Sequence, residues 1–179
     1  MTRYIALLRG VNVGGIVIRM NELARMVESL GHDDVRTVLA SGNVLFTSTD
    51  TDSLRLKAGL EGALSDTFDY QAWVVLLTRD QLADAVQTYP FEPRPGWHSY
   101  VLFGSDPARL DELWQNAPTL DPDDERVSVG DGVLNWQVRR DVGVKSPFSL
   151  LTAKARYKSS TTNRNLNTLH KILDLDSPR

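Results

Sequence analysis

Val35-Arg36-Thr37-Val38-Leu39-Ala40-Ser41-Gly42-Asn43-Val44-Leu45-Phe46 is a β-rich run, a turn of Ser, Gly and Asn, and a second β-rich run. This is the chemistry of a hairpin. Upstream, Met20, Leu23, Ala24, Val27 and Leu30 fall at helical spacing, and Gly31 follows as a C-terminal stop. Before that helix, Tyr4 to Arg9 reads as a short apolar strand ending at Gly10. Downstream, Thr51-Asp52-Ser53 opens a helix carrying Leu56, Leu60, Leu64 and Phe68, and Ala72 to Leu77 is an apolar strand. The order is therefore β-α-β-β-α-β by residue 77. Thr78-Arg79-Asp80-Gln81 has the form of a capping box, and its helix runs to about Tyr89.

The same order then restarts. Pro90, Pro93, Pro95 and Gly96 mark a linker, and His98 to Phe103 is a strand. Asp106-Pro107 places a cap before a proline at the first helical position, with Leu110, Leu113, Trp114 and Ala117 on the apolar face. Val127 to Val129 and Val133 to Val138 are joined through Gly130-Asp131-Gly132, a hairpin signal. A helix over Phe148 to Tyr157, a short strand over Ser159 to Asn163 and a terminal helix with Leu166, Leu169, Ile172 and Leu173 complete the copy. The expected fold is α+β: two tandem ferredoxin-like β-α-β-β-α-β plaits, antiparallel sheets with helices on one face. The units are expected at 1–78 and 98–179, with a connecting helix and Pro-rich linker at 79–97.

This topology sets edges. The first two strands of the plait run parallel, so Gly10 to Gly15 should lie beside Ser41-Gly42-Asn43. In the second copy, Gly104-Ser105 should lie beside Gly130-Asp131-Gly132.

The chain has 179 residues, 41% hydrophobic and 24% charged, ordinary for a folded protein. It has no cysteine, which excludes a disulfide framework and thiolate ligands or nucleophiles. No run approaches the ~18 apolar residues of a membrane span. The first apolar run is too short for a signal segment, so the expected compartment is the cytoplasm. Net charge is −3, but it is unevenly spread. Asp106 to Glu125 holds seven acidic residues and one base, whereas Arg139 to Lys171 holds eight bases against Asp141 alone. The basic segment either holds an anion or is a solvated face near the acidic one.

Tyr4-Ile5-Ala6-Leu7-Leu8-Arg9-Gly10-Val11-Asn12-Val13-Gly14-Gly15, Ala40-Ser41-Gly42-Asn43-Val44 and Thr162-Asn163-Arg164-Asn165-Leu166-Asn167-Thr168 form three motifs. Together they resemble a bacterial family, the domain of unknown function numbered sixteen ninety-seven. The resemblance covers essentially the whole chain and implies two ferredoxin-like plaits; it supplies no function. The chain departs from the family's pattern at Ile16-Val17-Ile18, where basic residues are usual, at Leu166, where a Trp is usual, and at Pro147-Phe148, where Lys-Leu is usual.

The candidate ligand-binding residues are Arg9, Asn12, Gly14, Gly15, Ser41, Asn43, Lys145, Arg164, Asn165 and Asn167. The glycine loop either cradles a phosphate through exposed backbone N–H groups or is a tight loop needing positive φ. It is neither a P-loop nor a dinucleotide fingerprint. Arg9, Asn12, Ser41 and Asn43 either hold a phosphate, carboxylate or base edge, or form an internal network fixing two loops. Asn165 or Asn167 is placed to cap the last helix, and Arg164 stands just before that helix's N-terminus. An approach of this stretch to the glycine loop would make one site.

The three His residues have no metal-ligand spacing, no catalytic triad is evident, and no metal or cofactor is implied. Asp33-Asp34 and Asp123-Asp124-Glu125 read as solvated carboxylates, and Trp73, Trp97, Trp114 and Trp136 as core or interface anchors. The first functional expectation is an anion-binding module, for a phosphorylated small molecule or nucleotide. Nucleic acid ranks below these, although Tyr4 and Phe46 lie on the strands that bind RNA in such plaits. The alternatives are a metal-independent enzyme acting on a phosphate or acyl substrate, with Lys145, Lys154 or Tyr157 as suspects, and an interaction module using an exposed Ile16-Val17-Ile18 patch.

Overall fold

The computed structural model describes residues 1–11, 15–117 and 119–176. It contains two four-stranded antiparallel sheets built on one plan. The first comprises β1 (Thr2–Arg9), α1 (Met20–Ser29), β2 (Asp33–Thr37), β3 (Asn43–Ser48), α2 (Ser53–Phe68) and β4 (Trp73–Thr78), with strand order β2-β3-β1-β4. After it come α3 (Arg79–Gln87) and β5 (Trp97–Gly104), α4 (Pro107–Gln115), β6 (Glu125–Val129) and β7 (Val133–Arg139). A short 3-10 turn (Gly143–Lys145), α5 (Pro147–Thr152), α6 (Ala155–Lys158), β8 (Thr161–Asn165) and α7 (Leu166–Leu175) complete the chain. The second sheet has the order β6-β7-β5-β8, the same permutation as the first. Each is a ferredoxin-like plait. Two compact units result: Met1–Ala83 with the residues from Lys171 on, and Asp84–His170.

The first core follows from two periodicities. Alternation puts Tyr4, Ala6 and Leu8 of β1 and Val44 and Phe46 of β3 on the helix side of the sheet. Leu23, Met26 and Val27 of α1 and Leu56, Leu60 and Leu64 of α2 recur at helical spacing and pack on them. Ile5, Leu7 and Leu45, on the other face, are also buried. Burial on both faces is why Ile5 to Leu8 is a continuous apolar run rather than an alternating one.

Local capping chemistry sets the helix ends. The Asp52 side chain accepts from the backbone N–H groups of Leu54 and Arg55, each at 3.1 Å. The capping box forms in both directions: Gln81 N–H donates to Thr78 Oγ1 at 3.2 Å, and Thr78 N–H donates to Gln81 Oε1 at 2.8 Å. Arg55 grips Asp50 at 2.6 and 2.7 Å, and the Asp52 N–H adds a third hydrogen bond. The Arg55 hydrogen bond, then that backbone N–H, hold the Asp50 carboxyl down to about 2. Because the folded value lies below the unfolded one, this contribution is present above about pH 4 and is lost as pH falls toward 2. The carboxyl carbon of Asp50 should titrate near pH 2 by NMR, and Arg55→Ala should return it to the ordinary aspartate range.

Three elements differ from the sequence expectation. The strand expected over Val35 to Ala40 ends at Thr37, because Leu39 takes a left-handed φ of 59°. The helix expected over Phe148 to Tyr157 is two short helices, broken where Lys154 turns extended at ψ 142°. The strand expected over Ser159 to Asn163 lies two residues later, at Thr161–Asn165. Its pairing with β5, Gly104 opposite Thr161 and Tyr100 opposite Asn165, sets that register.

Candidate functional site

In the first unit, β1 and β2 both run antiparallel to β3 and are therefore parallel to each other. The loop leaving β1 and the turn entering β3 thus share one edge. Leu8 N–H donates to Gly42 O at 2.8 Å, which joins the two directly. Gly42 has a φ of 77°, and a Cβ placed on it would stand 2.9 Å from Leu8 Cβ and 3.0 Å from Val11 Cγ2. Only glycine meets both demands. Asn43 is fully buried; its Nδ2 donates to Val38 O at 2.7 Å and to Ser41 Oγ at 3.0 Å, closing the turn on itself. Ser41 is exposed.

Arg9 is the last residue of β1 and is partly buried, which pushes its guanidinium pKa down. Gly10 and Gly15 follow with φ of 78° and 89°, and open space lies where their Cβ would be. Their glycines therefore serve backbone conformation rather than close packing. Asn12 and Gly14, together with Val13, lie outside the described residues.

The remaining candidates belong to the second unit. Arg164 is buried within β8; its Nη1 donates to Thr162 Oγ1 at 2.7 Å and to Asn163 O at 2.8 Å. Asn165 Oδ1 accepts from Asn167 N–H at 2.9 Å, so Asn165 is the residue that caps the start of α7. Asn167 is exposed, as is Lys145 at the end of the 3-10 turn. The acidic and basic segments do meet in part: Arg139 pairs with Asp124 at 3.2 Å, and Arg156 pairs with Glu112.

Two expectations lose their basis. Ile18 is 2% exposed and Ile16 packs against the first core, which leaves Val17 alone in solvent. Both isoleucines join the first core, so among the described residues no contiguous apolar patch exists there. Tyr4 and Phe46 stack on each other at 5.7 Å on the helix side of the sheet and are buried. A base cannot stack on them.

Glu125 corrects the reading of Asp123-Asp124-Glu125 as solvated carboxylates: it is 1% exposed. Its Oε2 accepts from Trp136 Nε1 at 3.0 Å and its Oε1 from Phe148 N–H at 3.1 Å. Alternation along β6 carries the signal, since Val127 faces the core and Glu125, two residues earlier, must face the same way. Trp114, expected as an anchor, is 42% exposed. Beside these two residues is a cavity of about 410 Å³, also lined by Ala117, Leu120, Arg126 and Val127. Among the described residues, no cluster of His, Asp and Glu could hold a metal ion. Among them, too, no helix is long and apolar enough to cross a membrane.

These features define a class: an α+β protein of two ferredoxin-like plaits, the first with a glycine-bearing edge beside an arginine. Residues 1–134 match the family described as "Protein of unknown function (DUF1697)". The chain belongs to that family. It is similar to the solved structure of the conserved bacterial protein SP0830 from Streptococcus pneumoniae, at 26% identity and a TM-score of 0.81 over 98% of each chain. A structure of an unknown protein from Galdieria sulphuraria aligns at 10% identity over 92% of this chain and 96% of that one, with a TM-score of 0.29. No curated protein matches the chain.

Proposed function

We propose that the protein binds a small phosphorylated molecule or nucleotide at the glycine edge of its first unit. The observation that supports this most is the juxtaposition of the β1 exit with the Ser41-Gly42-Asn43 turn, joined through Leu8 and Gly42. Arg9, whose guanidinium is partly desolvated, ends the strand that shares this sheet edge with Ser41 and the backbone of Gly10 and Gly42. Guanidinium binds phosphate through paired N–H donors, and partial burial strengthens that attraction. At Gly10 and Gly15, where open space lies at the Cβ position, glycine backbone lets an anion approach N–H groups without a side chain in the way.

The test is titration with inorganic phosphate, then with a nucleoside monophosphate, followed by amide chemical shifts. Shifts should concentrate at Gly10, Gly15, Ser41 and Gly42. Arg9→Ala should weaken binding by about 10-fold or more, the worth of a charge-assisted hydrogen bond. Affinity should respond weakly to salt, since a steep response marks a polyanion. Saturable binding unchanged by Arg9→Ala, or no shifts at millimolar phosphate, would refute the reading.

A further inference from the structure

We propose that the cavity beside Trp114 in the second unit is a separate binding site for a small organic cation, an ammonium carried on an aromatic or other flat apolar group. The cavity measures about 410 Å³ and its lining is mostly apolar. That is the size and character of a small-molecule site. A large aromatic ring, Trp114, stands 42% exposed at its side, although the same helix buries Leu110 and Leu113 almost completely. An exposed indole bordering a preformed hollow offers a ring-sized surface without any rearrangement.

Glu125 decides the charge of the ligand. It is 1% exposed and carries its carboxylate among Trp136 and Phe148. Both oxygens accept one neutral hydrogen bond each, and no cation forms an ion pair with it among the described residues. A carboxylate can accept about four such bonds, so it retains acceptor capacity. A buried charge compensated only by neutral dipoles favours a cation placed next to it. Arg126 also borders the cavity, but alternation along β6 sends it to the opposite face of the sheet. There its guanidinium lies 5.9 Å from the Trp97 ring and donates to Pro122 O at 3.4 Å. Arg139, on the neighbouring strand β7, is taken by Asp124 and Asp141. Pro122 also lines the cavity, and its sequence neighbours Asp121 and Asp123 are exposed carboxylates.

The experiment titrates the whole protein with 2-phenylethylamine, its neutral analogue 2-phenylethanol and the anion phenylacetate, reading indole N–H and methyl chemical shifts. The amine should shift Trp114, Leu120 and Val127 and bind about 10-fold or more tighter than the alcohol, as expected for a hydrogen bond to a charged group. Phenylacetate should bind weakest. Trp114→Ala, at an exposed position, should weaken amine and alcohol alike. Glu125→Gln should remove the preference for the amine while leaving the alcohol bound. Should Glu125→Gln fail to fold, the ligand order in the unmodified protein and the Trp114→Ala result decide the matter alone. Phenylacetate binding as tightly as the amine, no saturable amine binding, or shifts that ignore Trp114 would each overturn the proposal.

Discussion

Trp136→Ala is expected to lower stability by about 4–8 kcal/mol, enough to unfold many domains of this size. Three separate supports go with the indole. Its ring stacks on Tyr100 at 4.9 Å and packs on Phe148 at 5.8 Å, and its Nε1 donates to Glu125 at 3.0 Å. Truncation leaves a cavity that costs about 3–5 kcal/mol. It also removes one of two donors from a buried carboxylate, which costs about 1–3 kcal/mol more. Trp136→Phe separates these effects: it keeps most of the packing, loses the N–H donor, and should cost about 1–3 kcal/mol. Urea unfolding of the two variants checks both values. A midpoint for Trp136→Ala close to that of the parent would show that the indole does not hold this core.

Gly42→Ala should cost about 3 kcal/mol and disturb the glycine edge as well. A left-handed φ is worth about 1–2 kcal/mol against any L side chain, and the new methyl meets Leu8 Cβ at 2.9 Å. Leu8 is buried in a strand paired on both sides, so it cannot step back cheaply. Gly10→Ala is the control. It carries a similar φ of 78° but meets nothing within 4 Å, and should lose only about 1–2 kcal/mol. A Gly42→Ala variant no less stable than Gly10→Ala would mean that the two loops are not in contact. Phosphate titration of both variants extends the comparison to the proposed site.

Much of the architecture was readable along the chain, for reasons visible in individual residues. Thr78 and Gln81 form their capping box because both partners lie within one turn, and nothing distant has to agree. Asp106 and Pro107 start α4 in the same way, with Asp106 Oδ1 accepting from Ala108 N–H at 3.0 Å. The hairpins follow from turn residues, and the plait follows from the element order. The edge that carries Arg9, Gly10, Ser41 and Asn43 was also foreseeable, since strand directions are set by the topology.

Other features resisted a reading from pattern alone. The split between α5 and α6 has no proline or glycine to announce it. Val38 has strand chemistry but leaves the ladder, because the tie of its N–H to Asn43 O at 2.9 Å closes the turn instead. Acidic residues in a row suggest solvent, yet Glu125 turns inward while Asp123 remains outside.

Glycines, caps and alternating side chains act within a few residues, so the amino-acid order was enough to specify the two plaits and, within the first, the edge that β1 shares with the Ser41-Gly42-Asn43 turn. Whether a polar side chain lies in water or against a distant ring depends on long-range pairing. That is why folding alone determined that Glu125 would be buried beneath Trp136 and that Trp114, by composition a core residue, would border a cavity.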